Sequence, residues 1–495
     1  MGVFMKKNIV QKIGMIMAFS AVTMTVAAAT PGTADGVPEN GNIRPVDVTP
    51  LMREELAEQI AAHTAVIRER EAKKAAASVI TDKGAHTTQM TLDLPKTVRL
   101  ALAYNRDLKA SRYAVKKAEA AIGEAKAARS ITGEYTFSAG RGSAVTAMGP
   151  MTGNQYNHEL TVSLPLYTGG RIEHGIALAE LGKEAAQEDL LKSEQNTKLE
   201  AVKGYFSLLA AREVQRVYKE AVANLQAHVQ NVKAQYTVGT VAKVDVLHSE
   251  VSLAAAKTRA VGADNEAALA EDNLDNILGL PLTTALTLQD HRLPFQAYTL
   301  SLQESTQYAL TYRPEVLQAA LAVQKAATYM ALAKADNRPT AGIRFTQAWN
   351  DTAFPGTKHK TWSLGGQISY RFYDGGAGKH KISQARQDLN IAGEIEQKTR
   401  DGVQLQVKQA YLAVRSAAQR VRETQAAVTQ AAEGFAISRV RYEAGVGINL
   451  DVLDAQLALN QAKINHIQAL YDYNVGISSL EQAMGMDVRS GVVRP

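Results

Sequence analysis

Few residues of this 495-residue chain are spaced for chemistry, and most that are have a plainer reading. Among its ten histidines no pair makes a zinc-helix motif, and they read as scattered polar surface side chains. Gly375-Gly-Ala-Gly-Lys379 looks like part of a phosphate-binding loop. The first glycine of that motif would fall at Tyr373, however, and His380 stands where a Ser or Thr is required. A strand-to-helix corner explains it better. The chain has no cysteine, which removes disulfides, thiolate chemistry and lipid-modified cysteine. Carboxylate pairs are common on its helical stretches, and most are solvated faces. Asp451 and Asp454 stand apart. Three residues apart, they share one helix face directly after a break between two long helical patterns. Such a pair attracts cations and repels anions; more simply, it complements the positive end of a helix. Neither a catalytic set nor a cofactor or metal site emerges, so the chain does not read as an enzyme.

The stretch that carries the pair, Tyr442-Glu-Ala-Gly-Val-Gly-Ile-Asn-Leu-Asp-Val-Leu-Asp454, has an earlier copy in Tyr236-Thr-Val-Gly-Thr-Val-Ala-Lys-Val-Asp-Val-Leu-His248, 206 residues upstream. Asp245 is the counterpart of Asp451, and His248 replaces the second acid. The echo extends well beyond the turn. Tyr167-Thr-Gly-Gly170 and Tyr373-Asp-Gly-Gly376 are also 206 apart, as are Tyr205 and Tyr411, and Gly279 and Gly485. Upstream of these, Leu92 matches Leu300 and Asp107 matches Glu315 at a spacing of 208. The chain is an internal duplication.

Each half predicts the same elements. A helix from Leu92 to about Arg129, or from Leu300 to about Ala335, comes first. Two stretches with strand alternation follow: 133–141 and 159–166 in the first half, and one around Ile343–Thr346 and another around Thr361–Phe372 in the second. Polar, Gly-containing loops, 142–157 and 349–360, join them. The double glycines Gly169-Gly170 and Gly375-Gly376 supply the backbone angles of a strand-to-helix corner. A run of more than 60 residues with almost no breaker comes next, to about Gln235 or Arg441, and would span roughly 95–100 Å as a helix. Its apolar spacing of three and four is that of a coiled-coil seam. The turns at Gly239 and at Gly445-Val-Gly447 then reverse the chain into a second long helix.

Bulk properties agree with long helices: aromatics are only 6% and charged residues 21%. The net charge of +6 is dispersed along helices, which argues against nucleic acid as a partner. Met5-Lys-Lys-Asn, an apolar stretch to Val26 and Ala27-Ala-Ala29 read as a signal peptide over 1–29, so the chain is exported. Residues 30–90 form an extension, a linker and then an amphipathic helix over 51–80. The repeats occupy 91–297 and 298–487, and 488–495 is a tail. Four strands with nothing packed on them are marginal alone, and their alternation asks for an apolar medium on one side. Closure of a barrel in a membrane answers both demands, but four strands cannot enclose a channel, so several chains must share one. A structural or adhesive coiled-coil protein is the alternative, but a rod has no use for strand hairpins at one end of both halves.

Leu-x-Leu…Ala-Leu…Asn-x-Asp at the start of a repeat, Tyr-x-Gly-Gly at the corners and Tyr-x-x-Gly-x-x-x-x-x-Asp-Val-Leu at the turns resemble the TolC-type outer-membrane efflux proteins. The likeness covers about Thr91 to Asp487. It implies a mainly α fold with a small β part: a homotrimer whose helical tunnel crosses the periplasm below a shared 12-stranded barrel in outer-membrane lipid. It also implies a periplasmic adaptor protein and an inner-membrane pump of RND, ABC or MFS type as partners. Asp451 and Asp454 would line the periplasmic gate, and Tyr442 with Asp245 would form the latch that keeps it shut. The basic residue that reinforces the latch in the best-known members is missing here, where the chain reads Gly445-Val-Gly447. The resemblance thus implies an exit duct for efflux or type I secretion, with its cargo unspecified.

Overall fold

The computed structural model describes residues 89–146 and 149–486. The expected signal peptide, nearly all of the 30–90 extension and the 488–495 tail lie outside the described residues. Two long helical hairpins carry the fold. In the first half β1 (Gln89–Leu92) leads into α1 (Leu94–Tyr104) and α2 (Arg106–Ala127). The strands β2 (Thr132–Thr146) and β3 (Gly149–Tyr167) come next, then α3 (Arg171–Thr237) and α4 (Lys243–Leu278). In the second half β4 (Ala285–Leu288) precedes α5 (Leu302–Tyr312), α6 (Pro314–Ala335), β5 (Thr340–Asp351), β6 (His359–Ser369), α7 (Ala377–Glu443) and α8 (Asn449–Met484). The duplication shows in the lengths: α3 and α7 have 67 residues each, and α4 and α8 have 36 each.

The helix expected from Leu92 is in fact broken, and so is its repeat. Asn105 ends α1 and caps α2, accepting from the backbone N–H groups of Asp107 and Leu108 at 2.9 and 3.1 Å. In the second half Arg313 precedes Pro314, whose ring disfavours helix in the residue before it. Both breaks grip the end of a long helix. Asn105 Nδ2 donates to Ile277 O at 3.2 Å, and Arg313 Nη1 to Ala483 O at 3.3 Å. The kink thus tucks each short helix against the top of its own hairpin.

In each hairpin the long helix packs on its return helix, α3 on α4 and α7 on α8, and the hairpins join where α8 lies on α3; α4 meets α8 only lightly. Their shared core includes Tyr205, Leu208, Leu274 and Leu278 from the first half and Val407, Tyr473, Leu480 and Met484 from the second. All eight are sealed from solvent, each worth about 1.5–3 kcal/mol of burial if aliphatic. Tyr205 Oη donates to Asp290 Oδ2 at 2.5 Å, and burial, then the bond and charge of Asp290, push its phenol well above the ordinary range.

Asp290 belongs to a strap, 289–301, that follows β4 of the parallel pair β1–β4 and runs across the hairpins. The strap is tied to helix side chains: Glu213 accepts from Leu293 N at 2.7 Å, Tyr473 donates to Gln296 O at 2.5 Å and Asn474 to Pro294 O at 2.9 Å. Strands of four residues leave too little periodicity to be read in advance.

The other sheet is antiparallel in the order β2-β3-β5-β6. Residues 142–157, expected as a loop, are instead largely strand, because Ala139↔Tyr156 through Thr146↔Gly149 remain in register past the point where β5 ends opposite Tyr156. The second hairpin is shorter, its loop confined to 352–358. Tyr135, Leu160, Val162, Phe345 and Leu364 fall on one face by register. In this chain the face is open on its outer strands, with Tyr135 60%, Trp362 69% and Leu364 65% exposed, and half-buried at Val162 and Phe345.

At the corners the backbone needs glycine. Gly169 and Gly170 have φ of 67° and 94°, Gly375 and Gly376 67° and 88°. Asp374 closes the second corner by accepting from Gly378 N at 2.6 Å and Gly376 N at 2.8 Å. Those bonds, Gly378's first, hold its carboxyl below the usual range. A carboxylate therefore occupies the backbone amides that a phosphate loop would leave for its ligand.

Candidate functional site

The two tip turns are built alike. Gly239 N donates to Tyr236 O and Thr240 N to Gln235 O; Gly445 N donates to Tyr442 O and Val446 N to Arg441 O, all at 3.0 Å. This crossed pair of bonds closes a helix end around a left-handed residue, and Gly239 and Gly445 supply it with φ of 80° and 73°. Gly447 serves differently. A Cβ there would lie 3.1–3.2 Å from the backbone of Tyr442 and Arg441 and from Arg441 Cβ, so the turn is packed tightly where the expected basic latch residue is missing.

After each turn an aspartate enters the first helical turn, Asp245 in α4 and Asp451 in α8, where the helix dipole favours it. Asp451 and Asp454 are both exposed, with no hydrogen bond or ion pair to another described residue. Asp454 lines a groove between α4 and α8, floored by Tyr218 and Leu225 of α3, and His248 lines it from the other side. The acid of the second repeat and the histidine that replaces it in the first therefore share one groove.

Tyr442 is buried in a small apolar cluster with Val232 and Val452. Burial first, then the charge of Asp245, raises its phenol above the ordinary value. Its Oη has no hydrogen-bond partner, so within this chain the structure brings Tyr442 and Asp245 into electrostatic reach and does not bond them.

The polar links at the tip converge on a residue that sequence reasoning passed over. Asn449, at the first position of α8 and buried, donates from Nδ2 to the backbone O of Asp245 at 3.0 Å. Its Oδ1 accepts from His228 Nε2 of α3 at 2.7 Å. Ser249 Oγ lies 3.1 Å from the same Oδ1 and 2.8 Å from Asp245 O, and its single hydrogen serves one of them at a time. The His228 ring rests 5.2 Å from that of Tyr442. His228 is thus no surface histidine. The signal lay in the spacing Ala221, Leu225, His228, Val232, which is a buried seam. Above the tip further rungs join α3 to α8: Asn224 Nδ2 donates to Gln456 Oε1 at 3.2 Å, Lys463 pairs with Glu220 at 2.8 Å, and toward the other end Lys198 pairs with Glu481 at 3.2 Å.

Among the described residues no group of three or more His, Asp or Glu is placed to hold a metal ion, and no helix is long and apolar enough to cross a membrane. Duplicated helical hairpins with an open-faced antiparallel sheet at one end and glycine turns at the other define the class of outer-membrane efflux ducts. The sequence pattern of the family described as outer membrane efflux protein matches residues 97–280 and 306–486, and the chain belongs to that family. It is 30% identical over 426 residues to outer membrane efflux protein BepC of Brucella suis, covering 83% of this chain and 89% of that protein. Alkaline protease secretion protein AprF of Pseudomonas aeruginosa is 24% identical over 330 residues, 65% of this chain and 67% of its own. Among solved structures, the outer-membrane channel CmeC of Campylobacter jejuni superposes with a TM-score of 0.64 at 18% identity, over 79% of this chain and 85% of that one. The protein is an outer-membrane efflux-type transport protein, and its helical hairpins are the periplasmic part.

Proposed function

We propose that three copies of this chain form one duct, each adding four strands to a 12-stranded barrel in outer-membrane lipid and two hairpins to a helical tunnel. The observation that carries this reading is a sheet that lies outside the hairpin core, with an apolar face and with edge strands, β2 and β6, that have no partner on their outer side among the described residues. Only continuation into other copies pairs those edges without exposing backbone to lipid. The repeats are assigned to 91–297 and 298–487.

The duct is passive and needs no cofactor. Energy comes from an inner-membrane pump of RND, ABC or MFS type through a periplasmic adaptor protein. Efflux in the name of one relative and protease secretion in that of another support both kinds of export. Asp451 and Asp454 form rings of carboxylates at the periplasmic gate, with Tyr442 and Asp245 beside them in the closed tip. Detergent-extracted outer membranes should yield a trimer that conducts across a planar bilayer. A soluble monomer would exclude the duct and favour a structural coiled coil.

A further inference from the structure

We infer that Asn449 is the pin that holds the two hairpins of one protomer together at the tip and so sets how readily the duct opens. The inference rests on the channel reading. Alongside the groove lined by His248 and Asp454, α4 and α8 meet only lightly, so little apolar packing ties the second hairpin to the far side of the first. At the tip itself, beside the apolar cluster of Val232, Tyr442 and Val452, the hydrogen bonds between the hairpins all run through one side chain. The Asn449 amide donates to a carbonyl of α4 and accepts from His228 of α3, contacting both helices of the first hairpin from the first residue of α8.

Position makes these bonds decisive. Asn449 sits where α8 leaves its turn, so an outward swing of the α7–α8 hairpin moves it farther than any rung above it. The amide, the His228 ring and Ser249 are all buried, so bonds sheared by a small displacement are not replaced by water. Tyr442 contrasts with this. Its hydroxyl is buried and unpartnered, and removing it breaks no bond within the chain. Asp245 contributes through its backbone carbonyl, which survives any change of its side chain. The crowding around Gly447 leaves little room for a latch side chain on the turn, and the link is made two residues later instead.

The test uses full-length protein reconstituted in planar bilayers. Asn449→Ala should raise the open probability at least about fivefold while the trimer survives detergent as the parent does, since it removes buried hydrogen bonds between the hairpins in every protomer. Tyr442→Phe should raise it by less. The chain has no cysteine, so S249C combined with N449C offers a reversible second measurement independent of the alanine variant's folding. Oxidation should close the channel and reduction should open it. The pin is overturned if Tyr442→Phe opens the duct as far as Asn449→Ala does, or if oxidising the cysteine pair leaves opening unchanged, because the hairpins would then move as one body. Absence of any conductance from the parent protein would instead overturn the channel reading, and the pin with it.

Discussion

The aspartates of the long helices stand in two contrasting environments. Asp451 and Asp454 are exposed and pair with no other described residue, as the proposed gate requires. Replacing both with Ala should raise the concentration of a multivalent cation needed to block conductance by about tenfold, or ~1.4 kcal/mol. Unchanged block in the bilayer recording would place the pair away from the narrow point. Asp275 is the opposite case. It is fully buried near the end of α4 with neither oxygen hydrogen-bonded, and burial, then Glu271 and Asp272, push its carboxyl up to about 6. A carboxyl whose folded value exceeds the ordinary 3.8 holds its proton more tightly in the native state. Stability is therefore full below that ordinary value, falls as pH rises toward about 6, and stays lowered above it. Asp275→Asn should stabilise the protein by about 1–2 kcal/mol at pH 7.5, with the gain vanishing near pH 4. Thermal melts at the two pH values would show it, and equal shifts at both would mean that the ionised group has a partner. Sequence spacing made Asp451 and Asp454 legible because they flank an audible repeat. Asn449 and Asp275 were not, since neither motif nor period says which polar side chain is turned inward.

At the scale of elements, the halves share their plan and differ in their surroundings. Long helices were readable because more than sixty residues without a breaker leave little alternative, and the four helix pairs match in length. The break at Asn105 was not readable, for its cause is a side chain that caps forward and bonds a helix 172 residues away. Extension of the first hairpin through 142–157 was hidden as well, because small and polar residues that read as loop can still pair across a ladder. The corner glycines show the same divide. Both pairs have positive φ, yet a Cβ on Gly169 would lie 2.8 Å from Ala335 O and from Arg338 Cβ, whereas one on Gly375 meets nothing within 4 Å. Gly375→Ala should destabilise by about 1 kcal/mol from the left-handed backbone alone. Gly169→Ala adds the collision and should lose roughly 2–3 kcal/mol. Heat resistance of the detergent-solubilised protein orders the two, and equal losses would mean that the first corner relaxes.

The whole molecule is shaped by two media. Its hairpins pack an apolar core around Tyr205, Leu274, Val407 and Leu480, yet they also leave Val251, Val261, Ile391 and Leu405 more than half exposed; its sheet has an apolar face that joins neither core cluster. Phe345 pairs with Leu364 and with Val162 across the middle of the sheet, forming an apolar row, whereas Ser363 and Thr346 pair on the opposite face. If copies close this sheet into a barrel, the apolar row meets lipid and the polar row meets the lumen. A charge at mid-strand is then costly on one face alone, about 2–4 kcal/mol for Arg or Lys toward lipid. Leu364→Arg should therefore deplete the protein from the outer membrane, with the protein left as aggregate or degraded, while Ser363→Arg inserts normally and alters ion selectivity. Exposure does not separate the two positions, since both are open in the isolated chain. A soluble cap would tolerate either substitution, so only the barrel predicts that adjacent residues behave oppositely in a fractionation assay. Equal tolerance would overturn the shared barrel with its lipid-facing apolar row.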